Sequence, residues 1–445
     1  MNQEKTAPMT FGQLSVIRDL DLSGPDEQSD GNLPLVLPLP PGTSKETAVA
    51  AWARLVERHE ALRTVYDRRT AQPTQTVRPF EPFELGTVQL ADATEEAALS
   101  AAADWAKQEI HIDCEHSWRA AVGVHEGAAM HLVCVVHHLA ADSAACALLE
   151  REFATLVAGG TLHSDPPQPW ELALEQHGDA DQREQTMEYW LEEWQGFVDD
   201  DRQGGDTSRR VRVALYSERA MTAAHRVAER LSVSVQSVIF GASSLVLCHL
   251  KGRERATFGL LAGNRAEKRW QSLLSSMNQL APITVEAPRE SSPDAFLRAL
   301  YLRSLERLLY GAYSIDELRR RLTETDHVNP DPLQFDCYFN FLGDIAEPPP
   351  AGSPALDDVE WFDDAWQGGP SFNLRASMGT GLYLSLTASD AYLGTEAVGR
   401  FLAATEAALV SLADGAPDTL AEVSLAPLRQ VSLPRGPGPR TVGHE

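Results

Sequence analysis

The spacing of hydrophobic residues along the chain predicts both strands and helices. Met130–Val136 is a mostly apolar run with three valines, which predicts a buried strand. Trp118–Val124 precedes it across the turn-forming pair Glu126–Gly127, so the two segments are predicted to form a hairpin or neighbouring strands. Apolar residues recur three and four positions apart in 145–156 and again in 398–412, and this period predicts two helices packed against a core.

A further helix is predicted after the helix-breaking segment Pro38–Gly42. Thr43 and Glu46 have the spacing of a capping box at its start. The helix is predicted to pack inward through one apolar stripe, formed by Val49, Trp52, Val56 and Leu62. Met221–Leu250 is apolar around a centre of small residues, which predicts a buried pair of helices.

Polar residues with useful chemistry follow the predicted buried strand directly. His137 and His138 end it, and Asp142 and Ser143 come where the helical pattern begins. Because successive side chains of a strand point to opposite faces, one histidine is predicted to pack and the other to face a cavity. A neutral imidazole, with a pKa of about 6.5, accepts a proton near neutral pH, although two purely structural histidines would give the same pattern. Asp142 and Ser143 are alternative caps for the helix.

Composition narrows the class of protein. The chain has 445 residues, with 38 basic against 64 acidic residues and a formal net charge of −26. Because this charge repels phosphates, a nucleic-acid partner is not expected. No stretch approaches the length of a bilayer span and the start lacks a signal-peptide pattern, which predicts a cytoplasmic protein without a membrane partner. Five cysteines without CxxC spacing favour neither a disulfide framework nor a zinc site.

Two breaks in the pattern predict the domain boundary. Residues 165–169 are proline-rich, and residues 199–208 combine consecutive acidic residues with two glycines. Such composition is typical of loops and solvated linkers. The boundary is therefore predicted between residues 175 and 208, and we divide the chain into lobes 1–180 and 181–445.

The residues at the strand end resemble a known motif. His137-His138-Leu-Ala-Ala-Asp142-Ser143 is similar to the HHxxxDG motif of the condensation domains of nonribosomal peptide synthetases. In that family the second histidine faces the reaction channel and the aspartate is usually structural. The resemblance therefore implies a catalytic role for His138 and supporting roles for His137 and Asp142. Ser143 departs from the motif, which has glycine there, and serine tolerates fewer backbone conformations than glycine.

Further segments resemble condensation-domain motifs in family order, from residue 10 to about residue 343. Arg58–Tyr66 is the most specific of them, because it agrees with RHExLRTxF in a fixed frame. The others are Thr10–Arg18, similar to the opening motif with its glutamine; Glu188–Gly196, similar to the "YW…L" helix; Phe258–Arg265 with Ser276–Ile283, similar to a "gR" strand followed by FVNTxPL; and Pro332–Gly343, similar to a late motif ending in FNYLG.

The resemblance implies an α/β fold of two chloramphenicol-acetyltransferase-like lobes with mixed sheets, arranged as a V-shaped pseudo-dimer. It also implies a tunnel that admits the phosphopantetheine arm of a donor carrier protein from one side and the acceptor from the other. The implied reaction transfers an acyl or aminoacyl group from that thioester to an amine or hydroxyl, giving an amide or ester. No cofactor is expected to be bound permanently, because the arm arrives with the carrier protein.

Neighbouring residues receive expected roles from the same resemblance. Asp142 is expected to pair with a buried arginine, with Arg265 as the first candidate and Arg63 as the second. Asn278 and Asn340 are candidates for lining the channel. The sequence has no adenylation pattern and no carrier-protein serine motif, so we expect a free-standing enzyme of natural-product biosynthesis with a small amine or alcohol as acceptor.

Docking of the carrier protein has to overcome the acidity of this chain. We expect apolar contacts and a few local basic residues, with Arg319–Arg321 as a candidate group.

Three alternatives stay open at this point. An epimerisation domain shares the paired histidines and an FNYLG-like strand, although Ser276–Ile283 resembles the condensation pattern and no Ser-Trp follows the histidine motif. A catalytically inactive, condensation-like binding module would account for Ser143. A metal site is disfavoured, because adjacent histidines on a strand do not readily point to one ion and no further ligands stand out.

Overall fold

The computed structural model describes residues 4–22, 29–70, 72–194, 210–324, 335–344, 360–362, 372–415 and 417–428. The predicted linker at 199–208 lies outside these residues. The chain forms two compact units. The first comprises Met1–Glu192, Ala262–Gln279 and Gly311–Pro330, and the second comprises Glu193–Leu261, Leu280–Tyr310 and Asp331–Glu445.

The composition of the first unit differs from the predicted lobe 1–180, because two later segments of the chain belong to it. One of these segments is held by an ion pair between Arg265 and Asp142 at 2.8 Å. The other is held by an ion pair between Asp316 and Arg18 at 2.7 Å. Both contacts join residues far apart in sequence, so linker composition alone did not reveal them.

Strands and helices are interspersed through the described residues. The strands are β1 (Lys5–Pro8), β2 (Asn32–Pro38), β3 (Thr64–Asp67), β4 (Thr74–Val77), β5 (Gly86–Gln89), β6 (Trp118–His125), β7 (Ala128–His137), β8 (Arg210–Ser217), β9 (Arg255–Ala262), β10 (Gln279–Glu286), β11 (Cys337–Asp344), β12 (Glu360–Phe362), β13 (Phe372–Met378) and β14 (Leu382–Ser389). The helices are α1 (Phe11–Leu22), α2 (Lys45–Arg58), α3 (Glu95–Ala106), α4 (Ser143–Val157), α5 (Pro169–Gly178), α6 (Ala180–Trp194), α7 (Glu218–Leu231), α8 (Val235–Leu250), α9 (Pro293–Leu309), α10 (Ile315–Glu324), α11 (Asp390–Leu393) and α12 (Thr395–Asp414).

Strand β7 lies inside a four-stranded sheet of the first unit with the order β2-β7-β6-β5. It pairs antiparallel with β2 and β6, which confirms the predicted hairpin, and β5 runs parallel to β6. Leu132, Cys134 and Val136 pack in one core with residues of α2 and α4. Val133 packs in a second core with residues of α3. Since both faces of β7 are covered, its central run Leu132–Val136 is continuously apolar rather than alternating.

Helix α2 begins one residue later than the predicted capping box implies. Ser44 is the N-cap, and its Oγ accepts the backbone N–H of Thr47 at 3.1 Å. Thr43 instead donates its hydroxyl to the carbonyl of Pro40 at 2.6 Å. A cap has to reach the N–H three residues ahead of it, and with the helix starting at Lys45 the side chain of Ser44 is the one in place.

The second unit contains a seven-stranded mixed sheet with the order β10-β9-β11-β13-β14-β8-β12. Strand β11 is parallel to both β9 and β13, whereas β13, β14, β8 and β12 pair antiparallel in succession. The predicted helix pair is confirmed as α7 and α8, and the predicted helix at 398–412 as α12. Aromatic rings of Phe240, Phe258 and Phe339 join α8 to the sheet, with centroids 5.0 Å apart in each contact of Phe240.

The described helices are short relative to a lipid bilayer or interrupted by polar residues. None of them is long and apolar enough to cross a bilayer singly, and α7 with α8, bent by 111°, meets the length and composition criterion only as a pair.

Candidate active site

The turn between β7 and α4 carries the paired histidines and the aspartate. The backbone N–H of Ala140 donates to the carbonyl of His137 at 2.8 Å and closes this turn. Asp142 is the N-cap of α4, because its Oδ1 accepts the N–H of Ala145 at 2.9 Å. Ser143, the alternative cap in the sequence, is instead the first residue of the helix and is exposed.

The side chain of His137 is enclosed by its surroundings. It is 2% exposed, and its Nδ1 accepts the backbone N–H of Leu139 at 3.2 Å. A Cβ added to Gly31 would lie 2.7 Å from Nε2, so only glycine leaves room for the ring at that position. Burial, helped by the charges of His138 and Arg68, lowers the pKa of His137 from 6.5 to about 3. The ring is therefore neutral at physiological pH.

The side chain of His138 is half-buried and is fixed by the same turn. Its Nδ1 lies 2.9 Å from the carbonyl oxygen of Ala141. Since a carbonyl oxygen only accepts hydrogen bonds, Nδ1 carries the hydrogen. In the neutral ring the lone pair then lies on Nε2, which is able to take a proton from a substrate.

The carboxylate of Asp142 links the turn to a segment more than a hundred residues later. Oδ1 accepts from Arg265 at 2.8 Å, and Oδ2 accepts the backbone N–H of Met277 at 3.1 Å. The ion pair is buried, since the side chain of Asp142 is 6% exposed and that of Arg265 is 12% exposed. Removing one member of such a pair leaves an uncompensated charge, at a cost of about 3–5 kcal/mol.

Arg265 also organises the backbone around it. Its guanidinium donates to the carbonyls of Leu273 at 2.8 Å and Ser275 at 2.9 Å. The preceding residue, Asn264, has a positive φ of 52° and donates its amide to the carbonyl of Met277 at 2.9 Å. Asparagine tolerates this left-handed conformation better than most residues. The segment that follows β9 is thus folded around the cation that binds Asp142.

Segments similar to separate family motifs meet in this first unit. Gln13 of the opening motif donates to the hydroxyl of Ser275 at 3.4 Å. Ala61, in the RHExLRTxF-like segment, accepts a hydrogen bond from the hydroxyl of Ser117 at 3.1 Å, and the carbonyl of Ser117 accepts from the N–H of His137 at 2.8 Å. The candidate site is therefore built from at least four separate segments of the chain.

The structure places the other predicted residues as follows. Asn278 lies in the same unit, and its Oδ1 accepts from the hydroxyl of Ser276 at 2.8 Å. Arg63, the second candidate for Asp142, pairs with Glu60 at 3.2 Å and is buried, so the structure contains the first candidate pair and not the second. Asn340 lies on β11 of the second unit, where it is opposite Arg375.

The candidate docking arginines are engaged in local ion pairs. Arg320 pairs with Glu324 at 2.7 Å, and Arg321 pairs with Glu317 at 2.8 Å and with Glu184. Carboxylates already neutralise these two cations, so the structure gives no support to a docking surface built on Arg319–Arg321.

Two groups that contribute to the site are not among the residues predicted from the sequence. The carbonyl of Ala141 sets the tautomer of His138, and a backbone acceptor leaves no mark in residue type. Ser276 brings its hydroxyl to within 3.5 Å of Nδ1 of His138. Its only signal was a place in the FVNTxPL-like segment, two residues before Asn278.

The second unit contains a cavity of its own. A cavity of about 610 Å³ lies in the second unit, between the end of α8 and the segment after α12, and is lined in part by His249, Arg253, Arg289, Leu420 and Val423. None of its lining residues belongs to the unit that holds His138. Within the described ranges, no group of three or more His, Cys, Asp or Glu side chains is arranged to hold a metal ion.

Comparison with known proteins identifies the family of this chain. The family model described as "Condensation domain" matches residues 5–350. The chain belongs to the condensation domain family. Condensation domains are generally acyltransferases that form amide bonds, and they act on substrates bound to carrier proteins. This match confirms the resemblance to condensation domains that the sequence motifs indicated.

Curated relatives of this condensation domain are much longer than it is. One of the plipastatin synthase proteins of Bacillus subtilis (strain 168) is 25% identical over 354 residues, which are 76% of this chain and 13% of that protein. The chain therefore spans only a small part of the length of the relatives it matches.

Solved structures share the fold of this condensation domain. One, from a study of condensation domain-mediated chain release from the enacyloxin polyketide synthase, has a TM-score of 0.76 at 20% identity and covers 93% of this chain and 84% of that chain. Another, the epimerization domain from the third module of tyrocidine synthetase B, has a TM-score of 0.71 at 16% identity, with 93% and 97% covered. These likenesses confirm the predicted α/β fold with mixed sheets, and at such identities they carry no activity with them.

Proposed function

We propose that this condensation domain transfers an acyl or aminoacyl group from a carrier-protein thioester to an amine or hydroxyl, with His138 as the general base. The observation that carries the proposal is the contact of 2.9 Å between Nδ1 of His138 and the carbonyl of Ala141. This contact leaves Nε2 as the basic atom of a ring that is half-buried. Membership in the condensation domain family indicates the class of reaction, and the tautomer of His138 indicates Nε2 as the base.

In the proposed reaction the acceptor nitrogen or oxygen attacks the thioester carbonyl carbon. Nε2 of His138 takes the proton that the acceptor loses as the new bond forms. The bond between carbon and sulfur then breaks, and the leaving sulfur takes the proton from Nε2. The products are an amide or ester and the free thiol of the phosphopantetheine arm, which enters as part of the substrate. A positioned base of this kind contributes about 10²–10⁴-fold in rate.

Asp142 and Arg265 are positioning residues in this proposal. Asp142 caps α4 through Ala145 and binds Met277, so it fixes the turn that carries His138. Arg265 balances its charge in a buried place. Neither group is needed for the proton transfer itself.

A single-turnover assay tests the proposal. The purified chain is mixed with an acyl group on a carrier protein, with the same group on a short thioester mimic, or with the free acid and ATP, each with an amine and with a hydroxyl acceptor. We expect transfer to be fastest from the carrier protein, because the tethered arm raises the local concentration of the carbonyl. Efficient use of the free acid with ATP would contradict the proposal.

The same assay separates the alternatives. Inversion of a carrier-bound aminoacyl group without transfer would indicate epimerisation, an activity named for one of the structural neighbours. Binding of the loaded carrier without any turnover would indicate an inactive module. Equal rates from the mimic and from the loaded carrier would remove the carrier protein as a recognised partner. Comparison of the amine and hydroxyl acceptors assigns the bond as amide or ester, and a carrier-bound acceptor run beside them tests whether the natural acceptor is a small free molecule.

A further inference from the structure

The hydroxyl of Ser276 stands between His138 and Asn278. Its oxygen is 3.5 Å from Nδ1 of His138 and 2.8 Å from Oδ1 of Asn278. Ser276 is fully buried, whereas Asn278 is half-buried. Because an amide oxygen only accepts, the hydroxyl hydrogen points toward Asn278, and the lone pairs of the serine oxygen are left for the N–H of the imidazole.

The segment that carries Ser276 is fixed on several sides. The residue before it is held through its carbonyl by Arg265 at 2.9 Å, and the residue after it donates its N–H to Asp142 at 3.1 Å. Helix α1 packs directly on it, because a Cβ added to Gly12 would lie 2.4 Å from the carbonyl oxygen of Ser276. The buried ion pair of Asp142 with Arg265 therefore holds the turn that carries His138 next to the segment that carries the hydroxyl of Ser276.

We propose that Ser276, oriented by Asn278, is a positioning residue that stabilises the protonated form of His138. When Nε2 takes a proton, Nδ1–H becomes a stronger donor, and an oxygen 3.5 Å away with its lone pairs toward it is drawn closer. The carbonyl of Ala141 is the other acceptor at the same hydrogen. The role in turnover rests on the proposed function, while the effect on the ring itself does not.

The buried ion pair beside the ring does not hydrogen-bond to Nδ1 of His138. Both oxygens of Asp142 are occupied, by Arg265 and Ala145 on one and by Met277 on the other. The carboxylate and the guanidinium largely neutralise each other. The other neighbour, His137, is neutral at physiological pH. The contacts of Nδ1 of His138 in the described part of the chain are with two neutral dipoles, the carbonyl of Ala141 and the hydroxyl of Ser276.

The test is a titration of the whole protein by NMR, with ring nitrogens of its 13 histidines labelled and His138 assigned from the His138→Ala spectrum. We expect Ser276→Ala to lower the pKa of His138 by about half a unit to one unit, because one hydrogen bond to the charged form is lost. Asn278→Asp is expected to raise it by about one unit, because a carboxylate then faces the hydroxyl. Ser276→Thr, which keeps the hydroxyl, is expected to restore the original value.

Ser275→Ala is the matched control, since Ser275 is also a buried serine of the segment, and its hydroxyl accepts from Gln13 at 3.4 Å and donates to the backbone carbonyl of Ser276 at 3.3 Å instead of contacting the imidazole. It is expected to leave the titration of His138 unchanged. The proposal is overturned if Ser276→Ala leaves the pKa unchanged, or if both serine variants shift it alike. Should Ser276→Ala fail to fold, Asn278→Asp decides, and an unchanged or lowered pKa there overturns the proposal as well.

The titration and the transfer assay can fail separately. The expected shifts together with no transfer from any carrier protein would refute the proposed function and leave the tuning of His138 in place. Transfer by the natural chain with no shift in Ser276→Ala would refute only the role of Ser276.

Discussion

His137 and His138 occupy the same strand end but have opposite surroundings. The ring of His137 is 2% exposed, accepts a backbone N–H and has its pKa lowered to about 3. The ring of His138 is half-buried and donates from Nδ1 to the carbonyl of Ala141. Two identical side chains thus differ in the nitrogen that carries the hydrogen and in their access to solvent.

The difference shows that position on the strand assigns the role and that the partner at Nδ1 sets the tautomer. Nδ1 of His137 is an acceptor, so its hydrogen is on Nε2, while the hydrogen of His138 is on Nδ1. Only the second arrangement leaves Nε2 basic. Evidence that His137 is the reactive histidine would contradict this assignment of roles.

The largest expected effect is on activity. His138→Ala should lower the single-turnover rate of acyl transfer by about 10²–10⁴-fold, because it removes the proposed base, and should leave the melting temperature nearly unchanged. His137→Asn, which keeps an acceptor for the N–H of Leu139, should retain most of the rate of the folded protein. Full activity in the first variant, or the larger loss in the second, would reverse the assignment.

The next effect is on the stability of the turn that carries both rings. Asp142→Ala should lower the free energy of unfolding by about 3–5 kcal/mol, since the charge of Arg265 is then left without its partner. The control is Glu184→Ala at the ion pair with Arg321, where the glutamate side chain is 52% exposed and the expected loss is about 1 kcal/mol or less. Urea unfolding of both variants measures the difference, and equal losses would mean that the Asp142 pair is no more than a surface contact.

A smaller effect is expected on the pH dependence of stability, to which the buried ring of His137 contributes. The pKa of His137 is about 3 in the folded chain and about 6.5 when unfolded. Between these values only the unfolded chain binds the proton, so this group lowers the free energy of unfolding as the pH falls below about 6.5, by up to about 1.4 kcal/mol per pH unit. Above that pH it contributes no slope.

His137→Asn isolates this contribution, because other titrating groups are common to both proteins. We expect the stability difference between the natural chain and the variant to shrink from pH 7 to pH 4, as measured by urea unfolding at each pH. Parallel stability curves over that range would show that the ring of His137 is protonated in the folded protein.

The smallest effect is expected at the departure from the HHxxxDG motif. Ser143 is exposed at the first position of α4 and does not have a positive φ, so the conformational freedom of glycine is not needed there. Ser143→Gly should change the free energy of unfolding by less than about 1 kcal/mol and the transfer rate by less than about threefold, within the usual range of surface substitutions. A large gain in rate would instead show that serine restrains the turn and would favour the inactive-module interpretation of the natural chain.

The sequence by itself determined the elements around the site. The apolar run of β7, its hairpin with β6 and the helix α4 all depend on residues close in sequence, whereas the choice of Asp142 over Ser143 as the cap of α4 came from the structure. Burial of a strand and capping of a helix are set by local spacing, which a single sequence displays. The opposite placement of the two histidines follows from the same alternation.

Only the tertiary structure decided which distant groups meet there. Arg265 rather than Arg63 reaches Asp142 across 123 positions of the chain, and both arginines had the charge for the task. Ser276 lies beside His138 because that ion pair and the close approach of Gly12 fix its segment. The carbonyl of Ala141 sets the tautomer, although every residue has a carbonyl. Such contacts depend on how packed elements are placed in space, and the spacing of residues along one chain does not contain that information.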